Sequence, residues 1–487
     1  MTSIPELVTF VLYFVFLLSV GWLFYKRTMN LEDSLIGGRR LGKWVTALSA
    51  QASDMSGWLL MGLPGAVLLM GTSQSWIAIG LFIGTVVNWL MVAPRLRVHT
   101  EKVGAITLPS FFEKRFKDPT GALRVLSAVI ILFFFTIYAS SGLVAAGRLF
   151  EAMFGVDFAL AVLIGGIIIV IYTFLGGFLA VSWTDFVQGL LMFLAVVLVP
   201  AVAFFSAGGV AGIQEAMVEA DISGSIIPGG TLPLVGIIST MAWGLGYFGQ
   251  PHILSRFMGI RSVKDLPGST TIAIIWVGFS LTFAVFIGLI GISLFPELTG
   301  PASETVFIQM VRTVFSPWLG GIFLAAILSA IMSTIDSQLL VSSSALTEDL
   351  YKRVAGAEIS QSRLMWMGRL SVVIIAVIAL VLALNPQNTV LGLVSYAWGG
   401  FGAAFGPIVI MALLSRRTTW QSALAGMLTG TIVLIIWERL GLGAVMYEIV
   451  PGFIANFIAM VIANALVRQE DEAILTGFDE VEAAMSE

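Results

Sequence analysis

Apolar runs of roughly twenty residues recur along the whole chain, and each is long enough to cross a hydrocarbon core of about 30 Å. The pattern predicts thirteen spanning helices, at about 5–25, 44–70, 76–94, 123–150, 158–176, 183–207, 233–253, 268–294, 317–342, 367–384, 389–414, 420–438 and 444–467. This is the pattern of an all-α polytopic membrane protein. Composition agrees: 58% of the 487 residues are hydrophobic and only 11% are charged, too few to cover the surface of a soluble protein of this size. The first run, Leu7 to Tyr25, has Glu6 before it and Lys26–Arg27 after it. A cleaved signal peptide has its positive charge in front, so this run is read as a retained first span.

Charge placement sets the expected orientation. Of the 25 basic residues, 22 fall in alternate connections or beyond the last span: Lys26, Arg27, Arg39, Arg40 and Lys43; then 95, 97, 102, 114, 115, 117 and 124; then 256, 261, 264, 352, 353, 363, 369, 416, 417 and 468. Only Arg148, Arg312 and Arg439 fall opposite. Basic connections stay cytoplasmic, which predicts an outside amino terminus and a cytoplasmic carboxy terminus in the plasma (inner) membrane. An odd span count likewise puts the two termini on opposite sides. The longest outside connections, 208–232 and 295–316, are too short for a separate domain, and the acidic tail 468–487 reads as a solvated extension, with a helix as one conformation open to it.

Several chemistries are excluded. With no cysteine there is no disulfide, thiolate metal site or cysteine nucleophile. His99 and His252 are too far apart in the chain to suggest a metal pair. No phosphate-binding Gly-x-x-x-x-Gly-Lys-Ser/Thr loop, nucleophile elbow, His-Glu-x-x-His or dinucleotide fingerprint occurs, which argues against an ATP-driven pump and against an enzyme. The net charge of −4 carries no nucleic-acid signal.

Two spans are interrupted. The second reads Ser53-Asp54-Met55-Ser56-Gly57-Trp58 and continues to Gly62-Leu63-Pro64-Gly65; the seventh reads Trp243-Gly244-Leu245-Gly246-Tyr247-Phe248-Gly249-Gln250-Pro251. Glycine costs a helix interior about 1 kcal/mol and proline about 3. Freed backbone groups inside a membrane persist only against protein or a wet cavity. Gly57 or Gly246 taken alone favours close helix packing over a site. The two breaks, however, open segments of similar length, 44–207 and 233–414. Five spans followed by five spans is an inverted repeat, and matched breaks in its halves point to a transport site. Residues 1–43 precede the repeats, 415–467 add two spans, and 468–487 form the tail.

Asp54 is an ionisable group inside an apolar run, an expensive placement that marks ion paths or a structural ion pair. Ser49, Ser53 and Ser56 add hydroxyls around it. In the ninth span Ala330, Ser333 and Thr334 share one helical face, followed by Asp336, Ser337 and Gln338. Hydroxyls and carbonyls suit a hard cation such as sodium, although such hydroxyls also bond back to their own helix.

The run Ala47 to Ala66, with the segments Trp243 to His252 and Gly392-Leu393-Val394-Ser395-Tyr396-Ala397-Trp398, resembles the proline branch of the sodium/solute symporter family. Gly176-Gly177-Phe178-Leu179-Ala180-Val181-Ser182-Trp183-Thr184-Asp185 resembles a signature of the wider family. The likeness runs from the first span to the thirteenth. It implies a thirteen-helix fold with a five-plus-five inverted repeat, discontinuous first helices and alternating access. It implies a sodium site from the carbonyls of Ala52, Met55 and Ala330 with the hydroxyls of Ser333 and Thr334. Asp54 matches an aspartate needed for sodium coupling, with direct contact to the ion left open. Ser56, Gly57, Trp58, Gly62, Tyr138, Trp243, Tyr247 and Pro251 match positions of a proline pocket. Arg39 and Asp185, at cytoplasmic ends of spans, match gating or coupling positions. The expectation is sodium-driven import of L-proline, with no obligate protein partner. The alternatives are a same-fold symporter for another amino acid, a sugar or a vitamin; a sensor or channel on this fold; and proton coupling through Asp54.

Overall fold

The computed structural model describes residues 4–25, 36–174, 178–229, 233–355, 360–467, 469 and 471–486. Gly176 and Gly177 of the family-like signature, and the basic residues Lys26, Arg27 and Arg468, lie outside the described residues. Nine described helices are long and apolar enough to cross a membrane, and three shorter apolar helices accompany them. Among the described residues the only strand-like pairing is an isolated bridge between Leu41 and Ile260.

Helices are named in chain order: α1 Ile4–Tyr25, α2 Lys43–Asp54, α3 Leu63–Met70, α4 Ser75–Val87, α5 Ala93–Lys102, α6 Leu108–Arg115, α7 Ala122–Phe154, α8 Phe158–Phe174 and α9 Phe178–Ser206. After a short helix at Gly209–Glu219 come α10 Pro233–Met241, α11 Pro251–Gly259, α12 Leu266–Leu294, α13 Val306–Val314, α14 Pro317–Ser344, α15 Gln361–Ala383, α16 Val390–Leu414, α17 Trp420–Arg439, α18 Ile449–Leu466 and α19 Glu472–Ser486. The connections 208–232 and 295–316, read from sequence as plain loops, each carry a short helix. That of α13 buries Val306, Phe307, Met310 and Val311 on one face, so a local amphipathic pattern decides its structure.

The molecule is apolar outside as well as inside. Ile167 and Ile171 on α8, Leu194 and Leu198 on α9, and Ile374 and Val377 on α15 are all exposed, as lipid-facing positions must be. Polar side chains turn inward instead: Ser49, Asp54, Asp185, Arg256, Ser333 and Asp336 are fully buried. Helix α1 packs on α14 and α9, and the Tyr13 hydroxyl meets Ser329 Oγ.

Both predicted breaks are present. α2 stops at Asp54, and Met55 leaves helical geometry at φ −87°, ψ 81°. The chain re-enters through a wide π turn at Trp58–Gly62 before α3. The second break runs as a 3-10 turn over Ala242–Gly249 and ends at Gln250, which is extended at φ −80°, ψ 107°. A residue before proline favours that extended conformation, so Pro251 starts α11 as a separate half-helix. Gly246 is required here: a methyl group on it would overlap the Trp398 indole of α16.

The carboxy-terminal tail is helical, as its reading allowed, and departs from that reading only in being docked and not solvated all round. It forms α19, which buries Ile474 and Val481 and lies against α5. The acidic composition masked an apolar stripe at 474, 478 and 481, one helical face.

Candidate functional site

Breaking α2 frees main-chain oxygens, and side chains from α14, from α7 and from the π turn that follows the break claim them. The Ala52 carbonyl accepts a hydrogen bond from Ser333 Oγ at 2.7 Å and from Thr334 Oγ1 at 3.4 Å. Ser333 also reaches the Ala330 carbonyl at 3.3 Å. Ala52, Ala330, Ser333 and Thr334 thus form one oxygen cluster between α2 and α14, with Met55 buried at the break beside it. Four of the five positions expected to hold a cation, Ala52, Ala330, Ser333 and Thr334, are gathered there by these bonds. This donor set is made of hydroxyls and carbonyls, the chemistry a hard monovalent cation requires.

Asp54 makes its side-chain hydrogen bond to the second break. Its Oδ2 accepts from the Tyr247 hydroxyl at 2.6 Å, while its main-chain oxygen accepts from Trp58 Nε1 at 3.1 Å and Tyr138 hydroxyl at 3.4 Å. Its Oδ1 has no protein partner. The carboxylate therefore joins the two broken helices, and the end of α2 just before it supplies the Ala52 carbonyl to the oxygen cluster.

The eight expected solute-pocket residues are all buried. Around the first break stand Ser56, Gly57, Trp58 and Gly62; around the second stand Trp243, Tyr247 and Pro251; Tyr138 comes from α7. The Trp58 and Trp243 rings lie 6.5 Å apart. Tyr247 stands edge-on to Trp398 at 5.0 Å, and Trp398 Nε1 donates to the Trp243 carbonyl at 2.7 Å, which satisfies one freed oxygen of the second break. A side chain on Gly57 would collide with Ala145 of α7, so this turn needs glycine for the close approach of α7.

Arg39 and Asp185 are not brought together. Arg39 sits in the turn before α2, where it donates to the Thr100, Ala105 and Met258 carbonyls at 3.1, 3.0 and 3.0 Å. It holds the α5–α6 connection against the end of α11. Asp185 lies two turns into α9, near its amino-terminal end. It is fully buried in α9, accepts from Ser49 Oγ at 2.7 Å, and pairs with Arg256 Nη2 at 3.1 Å.

Three residues carry structure that the sequence reading did not assign. Arg256 on α11 ties the second broken helix to Ser49 of the first at 3.1 Å and to Ser337 of α14. Its signal was a lone arginine in an apolar half-helix. His252, fully buried, lies edge-on to Tyr138 at 6.1 Å. Glu304, in the connection before α13, accepts from the backbone amides of Val390 and Leu391 at 2.8 and 3.0 Å. It caps the positive end of α16, and burial raises its carboxyl above the ordinary range against the opposing pull of those amides.

The model of the sodium:solute symporter family matches residues 35–430. The chain belongs to that family. Among curated members, it is 49% identical to the sodium/proline symporter of Escherichia coli (strain K12), over 99% of this chain and 97% of that one. It is 49% identical to the high-affinity proline transporter PutP of Bacillus subtilis (strain 168), over 97% of this chain and all of that one. The osmoregulated proline transporter OpuE of the same organism is 47% identical, over 97% and 96%. Two solved structures share the fold. One is a sodium-coupled sialic acid symporter in a substrate-bound outward-open state, with TM-score 0.79 and 19% identity over 96% of this chain and 99% of that one. The other is a nucleobase-cation-symport-1 family transporter in a closed conformation, with TM-score 0.55 and 16% identity over 93% and 99%. The family assignment makes this chain a transporter and not an enzyme, and the broken helices α2 and α11 fit the inverted-repeat arrangement of that fold.

Proposed function

We propose that this symporter imports L-proline together with sodium by alternating access in the plasma membrane. The observation that carries the reading is the meeting of the oxygen cluster at Ala52, Ser333 and Thr334 with the aromatic pocket on one broken helix. The sodium/proline symporters and proline transporters among its full-length relatives supply the solute.

Sodium takes the carbonyl oxygens of Ala52, Met55 and Ala330 and the hydroxyls of Ser333 and Thr334. Binding there fixes the turn after Asp54, and Asp54 passes that order to Tyr247 of the second break. Proline presents a flat apolar ring, a carboxylate and a secondary ammonium. The ring suits the faces of Trp58, Tyr138 and Trp243; the ammonium suits a π face or a carbonyl; the carboxylate suits main-chain amides at the opened turns around Ser56–Gly57 and Pro251. Gly62 lets the start of α16 approach the pocket. Sodium therefore raises proline affinity, and linkage requires proline to raise sodium affinity by the same factor. Arg39 and Asp185 hold the inner ends of the broken helices and release them when the site opens inward. The membrane potential contributes about 2.3 kcal/mol per charge per 100 mV.

The chain crosses the membrane thirteen times, with repeats at 44–207 and 233–414, amino terminus outside and carboxy terminus cytoplasmic. Contact of α19 with Arg95, Lys102, Lys117 and Arg416 supports one shared side for the tail and those basic connections. The test is uptake of labelled proline into proteoliposomes. An inward sodium gradient should drive accumulation, and competition by a solute panel should favour proline. Equal uptake without the gradient would remove sodium coupling, and preference for another solute would reassign the pocket.

A further inference from the structure

The segment 471–487 carries six acidic residues and no basic one, and its helix is fastened to a basic platform. Glu482 pairs with Arg95 at 3.3 Å and Glu480 with Lys102. Lys102 Nζ also donates to the Gly477 carbonyl at 3.1 Å. Asp479 pairs with Arg416 at 2.8 Å, and Lys117 Nζ donates to both oxygens of Asp471 at 2.9 and 3.0 Å. Between these pairs the Phe478 ring lies 5.8 Å from His99 and under the Arg115 guanidinium at 5.4 Å. One helix thus spans α5, the end of α6 and the turn before α17.

That platform is connected to the transport site. Arg97 on α5 donates to the Ile260 carbonyl at 2.6 Å, directly after α11, and Arg39 donates to carbonyls of both the α5–α6 connection and Met258. The parallel bridge between Leu41 and Ile260 closes the same junction. Under the alternating-access reading, the inner end of α11 must leave this junction for the site to open inward. A helix that braces α5 opposes that movement.

The ion pairs of α19 are water-accessible: side-chain exposure is 31% and 62% at Lys102–Glu480, and 50% and 52% at Arg416–Asp479. Such pairs are screened by salt, because the Debye length falls from about 10 Å at 0.1 M to about 3 Å at 1 M. The apolar burial of Ile474 and Val481 is not screened. Docking therefore has one electrolyte-sensitive component and one insensitive component, and the balance between docked and released helix shifts with ionic strength.

We propose that α19 is a releasable clamp on the inner face of this symporter: docked, it holds the α5–α6 connection and the end of α11 closed, and rising cytoplasmic electrolyte releases it and speeds transport. This rests on the sodium-driven transport reading. The test uses full-length protein in proteoliposomes with a fixed sodium gradient while internal choline chloride is raised from about 0.05 to 0.5 M. Initial uptake by the unaltered protein should rise about twofold or more. The Asp471→Asn, Asp479→Asn, Glu480→Gln and Glu482→Gln combination should start near the high rate and respond little. A spin-label pair at Ala484→Cys and Arg417→Cys, free of background because the chain has no cysteine, should report a longer distance over the same salt range. The same salt response in both proteins, or an unchanged label distance while the rate rises, overturns the clamp. Absence of sodium-driven uptake in every form overturns the transport reading, and the label distance still decides whether electrolyte releases the helix.

Discussion

The Tyr247 hydroxyl donates to Asp54 Oδ2 at 2.6 Å, so one hydrogen bond connects the two interrupted helices of the transport site. Asp54 is fully buried, and its other oxygen has no protein partner. A Tyr247→Phe change leaves the carboxylate with neither. Leaving a buried acceptor unsatisfied costs about 1–3 kcal/mol. The expected outcome is a roughly tenfold rise in the sodium concentration for half-maximal proline uptake, with the protein still reaching the membrane. Unchanged sodium dependence would show that Asp54 does not depend on Tyr247.

Ser333 and Thr334 both reach the Ala52 carbonyl, but Ser333 is closer, at 2.7 Å against 3.4 Å. The proposed sodium-bound form requires both hydroxyls to turn their oxygens to the ion. Ser333→Ala and Thr334→Val should each weaken sodium activation about tenfold or more, of order 1.4 kcal/mol, while Thr334→Ser should retain most of it. Sodium titrations of proline uptake check this. Equal behaviour of Thr334→Ser and Thr334→Val would mean that the methyl group, and not the hydroxyl, matters there.

Arg256 and Asp185 form a fully buried pair at 3.1 Å. Removing one member strands a charge, at a cost of about 3–5 kcal/mol, whereas removing both is far milder. Arg256→Gln and Asp185→Asn alone should lower thermal stability in detergent more than the double variant does. Losses that simply add in the double variant would contradict a direct pairing.

How much of this was legible in the sequence depends on the range of each interaction. The breaks at Met55–Gly57 and Ala242–Gln250 were readable because glycine, proline and a carboxylate inside an apolar run violate a local rule. Ser333 and Thr334 were readable as one face of α14 because helical period is local. The partner of Asp54 was not, since Tyr247 is 193 residues away and no local pattern encodes that distance. The same holds for Arg256 with Asp185, and for Glu304 with the first amides of α16. The tail misled for another reason: its charge suggested solvation, while its basic counterpart is spread over 95, 102, 117 and 416 and converges only after folding.

Asp471 offers a pH test of that docked tail. Its hydrogen bond from the Lys117 ammonium holds its carboxyl below the ordinary value of 3.8, against a small opposing effect of burial. A carboxyl depressed in the docked form strengthens docking above its ordinary value, and the contribution disappears as pH falls through the depressed value. The distance between labels at Ala484→Cys and Arg417→Cys should therefore stay constant from pH 7 to about 5 and lengthen only below about pH 4. Release already between pH 7 and 6 would point to a different titrating group.

The central claim is that sodium at the α2–α14 oxygen cluster and proline in the adjoining aromatic pocket stabilise each other. Equilibrium binding of labelled proline to the purified protein, titrated with sodium and repeated for Asp54→Asn, measures it most directly. Proline affinity should rise steeply with sodium, sodium affinity should rise by the same factor with proline, and Asp54→Asn should abolish most of that coupling. Proline binding that is equally tight without sodium, or coupling that is intact in Asp54→Asn, would contradict the account.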